Sequence, residues 1–90
     1  MDDEVVRLPV EDAIDLHAFA PADVVSVVDE YLSAAQAAGF ALVRLIHGRG
    51  KGVQRAAVQR LLREHPAVDS YWDAAESHLG ATVVKLRSTK

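Results

Sequence analysis

The stretch "FALVRLIHGRGKGVQRAAVQRLLREHP", Phe40 to Pro66, decides the fold. Phe40 to His47 is almost wholly apolar and short, which suits a buried strand. The alternating glycines of "GRGKG" cannot continue that strand, and the chain resumes with helical spacing from about Val53 to Glu64. On that helix Val53, Ala57, Leu61 and Leu62 form the expected inner face, with Arg55, Gln59, Arg60 and Arg63 outside or at its edges. Pro66 ends it. A strand passing through a glycine loop into a helix is half of a βαβ crossover.

The flanks supply the rest. "AIDLH", Ala13 to His17, reads as an earlier buried strand. Pro21 opens a helix, where its missing N–H costs nothing, and Val24, Val28, Tyr31, Leu32 and Ala35 give that helix one apolar stripe. Gly39 stands where a left-handed residue closes a helix. "VDSYWDA" and "ATVVKL" read as two more strands, the latter rich in β-branched residues. The order βαβαββ predicts a two-layer α/β sandwich, a mixed four-stranded sheet with two helices and the first two strands parallel. Residues 1–12 are acidic and aperiodic and read as an arm, leaving 13–90 as the domain.

Composition narrows the function classes. Ninety residues, half of them apolar, support one small core. Cysteine is absent, which removes disulfides, thiol nucleophiles and thiolate metal sites. No apolar run spans a bilayer and "MDDEVVRLPVED" lacks the features of a signal peptide, so a cytoplasmic protein without membrane partners is expected. Residues 1–43 hold nine acidic residues against Arg7, while residues 44–90 hold nine basic against four acidic. The six basic residues from Arg44 to Arg63 have no acidic residue among them, a local field suited to an anionic ligand.

Chemistry gathers at strand ends. Asp15 and His17, two apart on a strand, point to one face at its carboxyl end. His47 and the glycine loop lie at the carboxyl end of the second strand, the edge where open α/β sheets bind ligands. Gly48, Gly50 and Gly52 let the backbone approach a ligand, a helix N-terminus follows, and Arg49, Lys51 and Arg55 add charge, so a phosphate is the natural guest. The spacing is not that of a P-loop, and Val53 stands where a dinucleotide fingerprint needs its third glycine. A phosphodiester backbone is therefore favoured over a nucleotide cofactor.

"IDLHAF", the run from Arg44 to Tyr71 and "LGATVVKL" resemble, in order and separation, the Smr (small MutS-related) domain over roughly residues 13 to 87. The resemblance implies a fold similar to the C-terminal domain of a bacterial translation initiation factor, and a role as an endonuclease on DNA or RNA or as a nucleic-acid binder. It places the family's Leu-Asp-x-His signature on Ile14, Asp15, Leu16 and His17, with Asp15 and His17 as catalytic residues. Its His-Gly-x-Gly-x-Gly falls on His47, Gly48, Arg49, Gly50, Lys51 and Gly52, the nucleic-acid contact, and Gly80, Ala81 and Thr82 match the closing motif. Ala18 stands where the family often has glycine, a change that strains the backbone if the position takes positive φ, and "AAESHLG" replaces a glycine-rich loop, with His78 unassigned.

Each residue also has a plainer reading. Asp15 can cap the following turn and His17 be a satisfied buried histidine; His47 can be a strand-end histidine bonded to a backbone carbonyl. Arg55, Arg60 and Arg63 can be a solvated face. His65, at a helix end, reads as a cation on the helix dipole. Strand alternation sends Tyr71 and Trp72 to opposite faces, one into the core and one available to stack on a base. No zinc spacing is present, whereas Mg²⁺ or Mn²⁺ bridging Asp15 and a substrate phosphate fits the residues. A phosphodiesterase of low sequence preference is the first expectation. Its rivals are a non-catalytic nucleic-acid or ribosome-binding module, favoured by Ala18 and the altered last loop, and a protein-binding domain using Asp23, Asp29 and Glu30.

Overall fold

The computed structural model describes residues 11–48, 53–75 and 80–88, so residues 1–10 of the arm, the loop cations Arg49 and Lys51, and His78 lie outside the described residues. The elements are β1 (Ala13–Asp15), α1 (Val24–Ala37), β2 (Leu42–Ile46), α2 (Val53–Glu64), β3 (Val68–Asp73) and β4 (Ala81–Leu86), with 3₁₀ turns at Leu16–Ala18 and Pro21–Asp23. They form one four-stranded sheet in the order β1-β2-β4-β3. β1 and β2 run parallel, and β4 is antiparallel to both β2 and β3. The mixed sheet with two helices is the architecture expected from the sequence.

Alternation along the strands explains why the layers pack. Val43 and Leu45 of β2 and Val84 and Leu86 of β4 are buried, and they share one core with Val24, Val28, Leu32 and Ala35 of α1 and Val58 and Leu62 of α2. The stripe on α1 is the one its spacing predicts. On α2 the face is centred on Val58 and Leu62, one turn apart and both almost fully buried, while Ala57 and Leu61 are only partly covered. Tyr71 packs against this core and Trp72, on the opposite face of β3, is exposed.

Local chemistry sets the ends. α1 closes in a Schellman turn: the Gly39 N–H donates to Gln36 O, the Phe40 N–H to Ala35 O, and Gly39 takes φ +91°. Glu11 and Asp12, assigned to the arm, are tied to the body, because the Tyr31 hydroxyl donates to the Glu11 carbonyl and the Arg44 N–H to the Asp12 carbonyl. Burial, with the charges of Asp12 and Glu11, pushes the Tyr31 phenol up to about 12.

Three expectations need correction. "AIDLH" is not one strand: it leaves the sheet after Asp15 and winds into a 3₁₀ turn, because the Asp15 carboxylate captures the next turn's N–H. Ala18 lies in that turn, so its backbone is right-handed and carries no left-handed strain. His65 is not a cation spent on the helix dipole: it is buried, donates from Nε2 to Asp29 Oδ1 (2.7 Å) and accepts the Ala67 N–H at Nδ1 (3.1 Å). That pair links α1 to the end of α2. Among the described residues no helix is long and apolar enough to cross a membrane.

Candidate nucleic-acid site at the strand ends

Where β1 stops, Asp15 acts as the cap of the 3₁₀ turn. Its Oδ1 accepts the His17 backbone N–H (2.9 Å) and faces His17 Nδ1 at 2.8 Å. The two side chains therefore meet through a cap and not through strand alternation. The His17 backbone N–H first, and then its ring, hold the Asp15 carboxyl below the usual range, so it is ionised at neutral pH. An ionised acceptor requires the proton on Nδ1, which leaves Nε2 as the basic nitrogen of the neutral imidazole. Both side chains are 61% exposed, so the capping reading of Asp15 holds while the reading of His17 as a buried histidine does not.

The second motif meets the first at Gly48. This residue has φ +79°, and a Cβ placed on it would collide with the His17 ring at Nε2 and Cε1. The backbone angle therefore favours glycine, and a methyl here would have to push the exposed His17 ring aside. The closing motif joins them, since the His47 and Gly48 N–H groups both donate to the Gly80 carbonyl (3.0 and 2.9 Å). Pairing of β1 with β2 and of β2 with β4 brings Asp15, Ile46 and Ala81 side by side, which is why three motifs distant in sequence converge.

His47 sits beneath this surface. It is 3% exposed; Nδ1–H donates to the Gly48 carbonyl (2.9 Å), and Nε2 accepts the Thr82 hydroxyl (2.9 Å). With both nitrogens occupied it holds the turn in place and does not reach a phosphate, in keeping with the plainer reading of a strand-end histidine. Thr82 is likewise fully buried, so its hydroxyl contacts protein. Arg55, expected to extend the cationic footprint, forms a bidentate pair with Asp73 at 2.8 and 2.7 Å. Hydrogen bonding to Arg55 holds the Asp73 carboxyl below its usual range and raises the guanidinium.

Gln59 completes the arrangement by donating to Asp73 Oδ1 (3.1 Å) and to Thr82 Oγ1 (3.3 Å). Neither Asp73 nor Gln59 stood out in the sequence. Two signals were there: Gln59 follows Arg55 by one helical turn, and Asp73 shares the inward face of its strand with Tyr71. Among the described residues no three of His, Cys, Asp and Glu come together as a metal centre.

An α/β domain that brings an Asp–His pair and a glycine turn to one sheet edge is the class that fold and site define. The Smr domain model matches residues 14–87, and the chain belongs to the Smr domain family. Endonuclease MutS2 of Caldicellulosiruptor bescii is 42% identical over 77 residues, covering 83% of this chain and 10% of that protein. The Thermus thermophilus enzyme of the same name is 40% identical over 76 residues, covering 82% of this chain and 10% of its own length. The chain thus spans about a tenth of these curated relatives. In structure it is similar to the Smr domain of Thermus thermophilus MutS2, with a TM-score of 0.80, 37% identity, and coverage of 86% of this chain and 99% of that one. It is also similar to YdaL, a stand-alone small MutS-related protein from Escherichia coli, with a TM-score of 0.78, 28% identity, and coverage of 86% and 65%.

Proposed function

We propose that this Smr domain binds the phosphodiester backbone of nucleic acid and cleaves it with little sequence preference. The observation that carries the reading is the orientation of His17: Asp15 holds Nδ1, and Nε2 is turned to the Gly48 backbone at the mouth of the glycine loop. A backbone running along Gly48, Arg49, Gly50, Lys51 and Gly52 would bring a phosphorus atom to this nitrogen. Relatives named as endonucleases, 42% and 40% identical to most of this chain, support the same reading.

In the proposed reaction Nε2 takes a proton from an attacking water as its oxygen bonds to phosphorus. The P–O bond to the leaving oxygen breaks on the far side of phosphorus, that oxygen takes a proton from solvent water, and Nε2 gives up its proton to solvent afterwards. Arg49 and Lys51 offset the charge that builds on the phosphoryl oxygens. Asp15 steadies the imidazolium formed in between, the part a carboxylate on the far nitrogen plays in other His-dependent hydrolyses. Asp15 is exposed and ionised, so it is the residue that would hold Mg²⁺ or Mn²⁺, and such an ion would supply positive charge to offset that of the phosphate.

The test is incubation of the parent and His17→Ala with end-labelled single- and double-stranded RNA and DNA, in Mg²⁺, Mn²⁺ or chelator, resolved on a denaturing gel. Cleavage by the parent that vanishes in the variant while the gel shift persists is the expected result. Binding without cleavage by the parent would replace this reading with a backbone clamp, including one for ribosomal RNA. No binding at all would remove nucleic acid as the partner.

A further inference from the structure

The polar groups beneath the site form one directed chain. Arg55 donates twice to Asp73; Gln59 Nε2 donates to Asp73 and to Thr82 Oγ1; the Thr82 hydroxyl donates to His47 Nε2; and His47 Nδ1–H donates to the Gly48 carbonyl. Every donor in this sequence meets an acceptor, and one arrangement of protons satisfies all of them. The chain starts on the first turns of α2 and ends on Gly48. Those are the two described ends of segment 49–52.

We propose that Asp73 and Gln59 are positioning residues which, through Thr82 and His47, fix Gly48 and the start of α2 relative to each other and so set the shape of the nucleic-acid contact. This inference rests on the function proposed above for its binding readout, and on geometry alone for its structural one. Asp73 touches neither Gly48 nor His17. It acts through Arg55 and Gln59 on the helix and through Gln59 and Thr82 on the strand.

Charge opposes this arrangement. A carboxylate on the same edge as a phosphate-binding loop repels the ligand, and neutralising it would by electrostatics alone tighten binding. Positioning predicts the reverse. The two effects of Asp73→Asn therefore differ in sign, and a merely electrostatic role cannot imitate the proposed one.

The experiment measures affinity for end-labelled single-stranded DNA and RNA, together with amide hydrogen exchange, in the parent, Asp73→Asn, Gln59→Leu, Thr82→Val and Thr82→Ser. The expected result is that Asp73→Asn and Gln59→Leu each bind about three- to tenfold more weakly, as the loss of one or two hydrogen bonds would give. Thr82→Val should fall by a similar factor and Thr82→Ser recover, because serine restores the hydroxyl. In the weakened variants amide exchange should speed up at Gly48 and along Ala57 to Gln59, the first amides that bond back onto the opening turn of α2, while Val84 in the sheet stays protected. Tighter binding by Asp73→Asn, or unchanged exchange at Gly48 in the three weakened variants, would overturn the proposal. So would exchange that rises evenly through β4, since the network would then hold the fold as a whole. If the parent binds neither polymer, the functional reading fails and the exchange data still decide the positioning role. Should Asp73→Asn not fold, the valine and serine pair at Thr82 carries the same decision.

Discussion

Two Asp–His pairs in this molecule have nearly the same length and opposite character. Asp15 and His17 meet at 2.8 Å at the sheet edge with both side chains 61% exposed, whereas Asp29 and His65 meet at 2.7 Å between the helices with the imidazole only 4% exposed. In the first, the carboxylate takes Nδ1, leaving Nε2 turned to Gly48. In the second, it takes Nε2 while Nδ1 accepts a backbone N–H, so both nitrogens are spent. Proximity of Asp to His is therefore no sign of chemistry. What distinguishes them is which nitrogen the carboxylate leaves over and whether anything can reach it.

The sharpest way to break this contrast is to delete each imidazole. His17→Ala should reduce cleavage by about 10²- to 10⁴-fold, the usual worth of a positioned general acid–base, with little effect on melting temperature. His65→Ala should leave turnover per folded molecule unchanged and cost about 1–3 kcal/mol, because a buried N–H and the exposed partner both lose their bond. In a domain of this size each kcal/mol of that loss appears as roughly 4–8 °C in a thermal melt. Loss of cleavage in folded His65→Ala, or its survival in His17→Ala, would dissolve the distinction.

Gly48→Ala tests the approach that makes His17 reachable. The methyl would strike the imidazole and force a left-handed backbone on alanine, so a loss of about 1–2 kcal/mol, seen in denaturant unfolding, should accompany a fall in cleavage. A smaller effect concerns charge outside the pair. Lys51→Ala should weaken binding alike for all sequences and lower the slope of log affinity against log salt by about one.

The smallest effect is on acid stability. Asp15 and Asp73 both have carboxyls held below the usual aspartate range, the first by the His17 N–H and ring, the second by Arg55. A carboxyl lowered in the folded state contributes stability that is present above its unfolded pKa and lost as pH falls through the folded one. Unfolding midpoints of the parent should therefore decline below roughly pH 4. Asp15→Asn and Asp73→Asn should each flatten that decline, measured by urea titration across pH 2 to 5, and each only modestly because the groups are solvent-screened.

Much of this fold is local and could be read from the chain. The stripe Val24, Val28, Leu32 and Ala35, the left-handed Gly39 and the strand before the glycine loop are written in spacing alone. What escaped was competition and distance. The strand at Ala13 ends early because Asp15 binds the His17 N–H, a capture that β-propensity does not weigh. The face of α2 turns toward Val58 because its neighbours across the core decide its rotation. The partner of His65 lies 36 residues away in Asp29, and Asp73 reaches Arg55 across 18. No window on the sequence spans such pairs. Asp15, His17 and Gly48 could be singled out as candidates because their motifs are short; Asp73 and Gln59 could not, because they meet only when β3, β4 and α2 lie together.

The central place of β4 also sets a timetable. It is made after β3 and yet lies between β2 and β3, and with the residue before it supplies Gly80 and Thr82 to the turn at His47 and Gly48. A chain emerging from its N-terminus thus carries His47 for 35 residues of synthesis before the hydroxyl that bonds it exists. Until Gly80 and Thr82 have been made, this sheet edge has its parts without the frame that holds them.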